Sequence, residues 1–167
     1  MKQIHAALAI SALAACSTVP TLAVPDSLKP AAGESLAMIV AAKGVQIYEC
    51  RAGEWAFVAP EAELFDASGK QIGRHYAGPH WEAADGSKVV GTVKARADAP
   101  APGAIPWLLL AAKSDGPEGT FSRMTSVQRV ATAGGVAPAG GCAEAGARAR
   151  VAYSADYYFY SARESAY

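Results

Sequence analysis

Residues 73–91, GRHYAGPHWEAADGSKVVG, decide the fold because they place two turn signals between short runs suited to strands. Glycine adopts positive φ without strain, and proline fixes φ and lacks an N–H donor. Gly78-Pro79 therefore predicts one tight turn, and Asp85 with Gly86 predicts a second. The stretch is typical of a tight antiparallel meander.

Three strands follow from these turns: one through His75 and Tyr76, a short one at 80–83 and a third at 88–96. In the third, apolar or small residues alternate with lysine, threonine and arginine. A period of two with charge on one face is typical of a half-buried strand.

The rest of the chain also favours strands. Lys43 with Gly44 suggests a hairpin between 36–42 and 45–52, and Pro60 suggests the end of a strand at 55–59. The apolar run at 105–112 fits a strand buried on both faces.

About ten short strands are predicted in this way, with almost no helical periodicity. We therefore expect an all-β fold: a single-domain antiparallel β-sandwich, whose two sheets would cover 105–112 on both sides. The alternative is a closed β-barrel.

The bulk composition limits the range of functions. The chain has 167 residues, 51% of them hydrophobic, and a formal net charge of zero, which suits one globular domain. Without the lysine of residues 1–15 the balance is 14 basic against 15 acidic residues, a net charge of −1. Such a charge gives no electrostatic basis for binding nucleic acid or anionic lipid.

The N-terminus is predicted to be an export signal. Residues 1–15 contain Lys2 and a run of ten mostly apolar residues, which is too short to span a bilayer. The following Leu-Ala-Ala-Cys resembles a bacterial lipobox, which predicts lipidation of Cys16. The alternative is ordinary secretory cleavage after Ala23.

The remaining chain is divided by composition. Residues 17–33 hold three prolines and predict an extended tether. The domain is expected at 34–160 and a frayed tail at 161–167.

Two cysteines remain in the exported domain, Cys50 and Cys142. Because an exported chain meets an oxidising compartment, we predict that they form a disulfide. The alternative is a buried pair of free thiols.

Several motifs together resemble one family. They are GVQIYECRAGEWAFVAPEAELFDASGKQIGRHYAGPHWEAADGSKVVG, GAIPWLLLAAKS, GTFSRMTSVQRV, GGVAP and VAYSADYYFY, and they extend over about residues 44–160. The chain is similar to the exported bacterial and fungal proteins of the domain of unknown function 3455. The resemblance implies a secreted, all-β single domain and supplies no established activity.

The candidate binding site lies in residues 73–91. Turns free side chains from core packing, and this stretch concentrates imidazole, indole and carboxylate groups. We expect the main concave site to be bordered by His75, Tyr76, His80, Trp81, Glu82 and Asp85, with Trp81 the most exposed of the tryptophans.

Chemical roles for the histidines are weaker alternatives. His75 and His80 could bind zinc or copper with a third ligand from Asp66, Glu82 or Asp85. His75 could also form an acid–base pair with Glu82 or Asp85. The spacing of the histidines is not that of a known metal motif, so no metal, cofactor or catalytic residue is predicted.

Two functional hypotheses follow. The first is a non-catalytic cell-envelope or extracellular domain that binds a small molecule, a glycan or a protein partner. The second is a metal-assisted hydrolase or redox enzyme centred on His75. The expected location is the outer membrane, through a lipid anchor on Cys16, or the periplasm, with secretion as the alternative.

The substitution Cys16→Ala tests the anchor. We expect the variant protein to leave the membrane fraction and appear in the soluble fraction, because the acylated thiol is lost. Mass spectrometry of the mature wild-type protein provides the check: an N-terminus at Val24 without an acyl chain would contradict lipidation.

Overall fold

The computed structural model describes residues 22–163, which form one short 3₁₀ turn and eight strands. The turn is Asp26–Leu28. The strands are β1 (Glu34–Arg51), β2 (Glu54–Phe65), β3 (Gln71–Tyr76), β4 (His80–Ala83), β5 (Lys88–Ala97), β6 (Trp107–Ser114), β7 (Met124–Gly134) and β8 (Arg148–Ala162).

The strands form a single antiparallel sheet that closes on itself. Each strand pairs with the next along the chain, and β8 pairs back along β1 to complete a closed barrel. The expected all-β, antiparallel class is confirmed. Of the two arrangements considered, the strands are hydrogen-bonded in the order of a closed barrel. The sheet can close because β1 is long enough to pair with β2 through 41–51 and with β8 through 34–49.

The predicted meander is confirmed. β3, β4 and β5 follow one another with register pairs such as His75 with Trp81 and Trp81 with Val89. Gly78 and Gly86 have the positive φ that their turns require, at 140° and 84°.

Two of the predicted strand breaks are wrong. β1 continues through Lys43 and Gly44, and β2 continues through Pro60. A Cβ at Gly44 would lie 2.1 Å from the Glu61 carbonyl oxygen, so this glycine permits close approach of β2 and does not mark a turn. Pro60 is tolerated beside the register shift at Ile47/Tyr48, where the ladder is already irregular.

The inner face of the barrel forms the main hydrophobic core. Residues two apart on a strand share a face. Alternate residues of each strand therefore point inward, and they meet along the barrel axis. The largest buried members are Trp81, Leu64, Leu110, Phe121, Tyr157 and Phe159. Phe121, from the β6–β7 connection, stacks on Phe159 at 4.7 Å and closes the end of the barrel where β1 begins.

The N-terminal segment, residues 22–33, lies on the outer wall of the barrel. Leu28 is 0% exposed and belongs to a second cluster with Trp107, Leu109 and Val130, against which Leu22 and Val24 also pack. The Gln128 side-chain amide donates to the Leu28 carbonyl oxygen. From Leu22 onward, the segment predicted as an extended tether therefore packs against the barrel and is part of the fold.

This segment also accounts for the apolar run in β6. Trp107 and Leu109 are buried on the outer face and Leu110 on the inner face, as predicted for a strand covered on both sides. The outer cover is the N-terminal segment, and a second sheet is not needed to supply it.

The predicted disulfide between Cys50 and Cys142 is confirmed, with Cα atoms 5.7 Å apart. Cys142 lies in the long β7–β8 connection, whose backbone is also bonded to the β1–β2 hairpin by the Cys142 amide, which donates to the Gly53 carbonyl oxygen at 2.9 Å. The disulfide is compatible with an exported protein.

The predicted signal peptide, Cys16 and most of the tail lie outside the described residues. Within 22–163, no helix has the length and apolarity needed to cross a bilayer.

The substitution Leu28→Ala tests the role of the N-terminal segment. We expect the free energy of unfolding to fall by about 2–5 kcal/mol, because a fully buried leucine leaves a cavity. Urea unfolding measures the change, and Leu36→Ala, at a site 48% exposed, is the control with an expected loss below about 1 kcal/mol. Equal losses in the two variants would mean that the segment contributes nothing specific to stability.

Candidate functional site

A pocket opens into the barrel beside the β3–β4 turn, at the end that we call the mouth. Its volume is about 270 Å³. It is lined by Phe57, Val58, Pro60, His75, Ala77, Gly78, Pro79, Trp81, Val93, Leu108, Leu110, Arg129 and Tyr157. An eight-stranded barrel is just wide enough either to be filled by side chains or to hold one small ligand, and this interior is filled at one end and open at the other.

The rim of the pocket is apolar and exposed. Phe57 and Val93 are 53% and 54% exposed although both are large hydrophobic residues. Phe57 packs edge-to-face against Tyr48, with ring centroids 5.8 Å apart, and the Tyr48 hydroxyl donates to the Gly135 carbonyl oxygen at 2.6 Å. The exposed aromatic ring is thus supported from below by a fixed tyrosine.

The floor of the pocket is an aromatic cluster centred on Trp81. His75 stacks on Trp81 at 4.5 Å, and Tyr157 meets both rings edge-on at 5.0 and 5.3 Å. A Cβ at Gly91 would lie 2.7 Å from the indole, so this glycine makes the space for the ring. Trp81 is only 1% exposed, and the expectation that it is the exposed tryptophan is wrong.

His75 is a neutral imidazole. Its Nδ1 lies 2.7 Å from the His80 carbonyl oxygen, which can only accept, so Nδ1 carries the proton and Nε2 carries the lone pair. Burial lowers the pKa of His75 to about 3, and the nearby Arg129 charge acts in the same direction.

Arg129 brings a positive charge to the pocket. Its Nε and Nη2 donate to the Pro106 carbonyl oxygen at 3.1 and 2.9 Å. In the sheet it lies between Leu108 of β6 and Tyr157 of β8. Burial raises the pKa of Tyr157, whose hydroxyl is 3.4 Å from that of Tyr153, so both phenols are neutral near pH 7.

Three of the predicted site residues lie on the outer wall instead. Glu82 accepts hydrogen bonds from the Tyr76 hydroxyl at 2.5 Å and from Arg74 at 2.9 Å. His80 stacks on Tyr76 at 5.3 Å, and its Nε2 lies 3.0 Å from Asp115. These contacts form a network of polar side chains on the outer wall, which the sheet separates from the pocket.

Asp85 lies at the opposite end of β4 from the mouth. Its carboxylate accepts from the backbone and hydroxyl groups of both Ser87 and Thr120, at 2.6–2.9 Å. These four bonds hold the pKa of Asp85 well below its usual value. The residue fixes the β6–β7 connection to the β4–β5 turn and does not border the pocket.

The histidines are therefore not arranged for the chemical roles considered. His75 points into the barrel and His80 outward, so their rings cannot converge on one metal ion. Residues 22–163 contain no cluster of three or more histidine, cysteine or carboxylate side chains that could hold one. Glu82 and Asp85 face away from His75, and the acid–base pairs are likewise not formed.

Of the predicted residues, only His75 and Trp81 line the pocket. The sequence reasoning missed Phe57, Val93, Leu108, Arg129 and Tyr157. One signal was available: in β7, Arg129 is in phase with the apolar Val127, so alternation placed an arginine on a buried face.

The fold and the pocket define the protein as a small closed β-barrel with an open, mainly apolar interior at one end. The chain belongs to the family described as "Protein of unknown function (DUF3455)", whose model matches residues 30–161. The resemblance found from the sequence is thereby confirmed. No curated protein and no solved structure matches the chain.

The burial of neutral His75 predicts a pH dependence of stability. Because the pKa is about 3 in the folded state and about 6.5 unfolded, the unfolded chain binds the extra proton between these values. The contribution of His75 to stability is therefore complete only above about pH 6.5 and falls as pH drops, by about 2–3 kcal/mol at pH 4.5.

Urea unfolding at several pH values between 7.5 and 4.5 measures the effect. We expect His75→Gln to lose this part of the pH dependence and His80→Gln, the control on the outer wall, to retain it. The same slope in His75→Gln as in the wild type would contradict the assignment.

Proposed function

We propose that the protein is a non-catalytic, exported binding domain that takes a small, largely apolar molecule into the mouth of the barrel. The single observation that carries this proposal is the open pocket of about 270 Å³ inside the barrel. Small-molecule sites are typically concave and mostly apolar, with a few polar groups that fix orientation. Of the ligand classes considered from the sequence, this geometry favours a small molecule over a glycan or a protein.

The exposed rim supports the proposal. Phe57 and Val93 lose contact with water only when something covers them, and each is placed where an entering ligand would pass. Burial of apolar surface contributes about 25 cal/mol per Å², so covering this rim with an apolar ligand would favour binding.

The chemistry of the floor supports a binding role over a catalytic one. His75 is neutral, its Nδ1 proton is donated to the His80 carbonyl oxygen, and no carboxylate from the described part of the chain lies among the lining residues. A base and an acid that could exchange a proton with a substrate are therefore not paired there.

Export is part of the same proposal. The signal-like N-terminus and the Cys50–Cys142 disulfide support it. We place the domain in the outer membrane, anchored through Cys16, or in the periplasm, with secretion as the alternative.

Binding of the neutral probe N-phenyl-1-naphthylamine tests the pocket. We expect saturable binding with one site per chain and a rise in probe fluorescence, because the dye leaves water for an apolar cavity. Phe57→Ala should weaken binding several-fold with little loss of stability, since the ring is half exposed. Leu36→Ala, which removes a similarly exposed apolar side chain away from the pocket, is the matched control.

Two results would count against the proposal. One is the absence of saturable binding to the wild-type protein. The other is equal weakening by Phe57→Ala and Leu36→Ala, which would place the probe on the outer surface.

A further inference from the structure

We propose that Arg129 makes this pocket selective for ligands that carry one carboxylate at the end of an apolar body. This inference rests on the proposed function, since it names the class of ligand for the same pocket. It goes beyond that function because an apolar cavity alone would not distinguish an acid from the corresponding alcohol.

Among the residues that the structure describes, Arg129 is the only charged side chain that lines the pocket. The other lining residues are apolar, glycine, neutral His75 or the phenol of Tyr157. A ligand inside the pocket therefore meets a single, positive charge.

The charge of Arg129 is not neutralised within residues 22–163. No carboxylate of these residues lies within ion-pair distance of its guanidinium, whereas Arg74, Arg148 and Arg150 each have one. The groups whose pKa values respond to Arg129 are His75 and the phenols of Tyr48, Tyr153 and Tyr157. All four are uncharged near pH 7, so Arg129 has dipoles around it and no counter-ion from residues 22–163.

The bonds that Arg129 makes hold it in place without using its full capacity. Nε and Nη2 both donate to one neutral acceptor, the Pro106 carbonyl oxygen, and the guanidinium also interacts with the neutral Tyr157 hydroxyl. A guanidinium has five N–H donors in a rigid planar fork, so donors remain for a ligand. An arginine held in a fixed position is also ready to bind an oxyanion with little ordering cost.

The geometry of the fork and the single charge favour a carboxylate. Arginine and carboxylate form paired, charge-assisted hydrogen bonds that are about twice as strong as neutral ones. A phosphate monoester carries roughly −1.5 to −2 charges near pH 7, which one arginine would leave partly uncompensated in an apolar site. The rest of the ligand would lie against Leu108, Leu110 and the ring of Phe57.

The test compares two ligands of the same shape, 3-phenylpropionate and 3-phenyl-1-propanol, by calorimetry at pH 7. We expect the wild-type protein to bind the acid at least about tenfold more tightly than the alcohol, in the range of a hydrogen bond to a charged group. Arg129→Gln should remove this preference, chiefly by weakening the binding of the acid. Arg150→Gln, which removes an arginine from the outer wall, should keep the preference.

The outcomes separate this inference from the proposed function. If neither compound binds in the pocket of the wild-type protein, the proposed function fails and this inference with it. If both bind equally well, or if Arg129→Gln keeps the preference, the pocket stands and the role of Arg129 is overturned.

A measurement on the wild-type protein covers the case in which Arg129→Gln does not fold. In NMR spectra, the acid should shift the Nε–H resonance of Arg129 and the alcohol should leave it in place. An unchanged resonance at saturating acid would overturn the inference.

Discussion

The stacking of His75 on Trp81 is the contact on which the rest of the interior depends. An eight-stranded barrel encloses a narrow space, and the indole fills its centre with help from the missing side chain at Gly91. On one side of the indole, Phe159 and Phe121 complete a dry core. On the other side the interior stays open. The indole of Trp81 therefore separates the hydrophobic core, which stabilises the fold, from the pocket.

The same stack determines the chemistry of the open part. An imidazole pressed between Trp81 and Tyr157 has lost its water, and its Nδ1 proton is held by a backbone carbonyl oxygen. The residue that the sequence marks as the best catalytic candidate is thereby kept neutral near pH 7, and its low pKa makes it a weak base. In our proposal, the pocket residue that distinguishes between ligands is Arg129 and not His75.

The sequence predicted the local elements better than their assembly. The meander at 73–91 followed from turn chemistry, and the pairing of Cys50 with Cys142 followed from elimination. Gly44 and Pro60 wrongly suggested strand breaks. Glycine also occurs inside a strand where a neighbouring strand approaches closely, and proline also occurs where the pairing is irregular. Closure of the sheet could not be predicted, since the β1–β8 ladder joins residues that are 99 to 128 positions apart.

The site was less predictable than the fold for a related reason. Tyr76, His80 and Glu82 are polar residues close in sequence, and they do meet, but on the outer wall. The pocket gathers its lining from seven strands and one turn, with one or two residues from most of the strands. Only the register of the closed barrel brings such residues together.

If Cys16 is acylated, as we propose, the N-terminal segment would limit how far the barrel can move from the lipid anchor. Its buried residues run along the outer wall, from Leu22 beside the cluster that includes Ala97 and Ala99, to Glu34 at the closed end. Five residues separate Cys16 from Leu22, and even fully extended they span only about 20 Å. An acyl chain on Cys16 would therefore keep the mouth of the barrel, and not its closed end, next to the bilayer surface, where a lipid-soluble molecule could pass into the pocket without crossing open water.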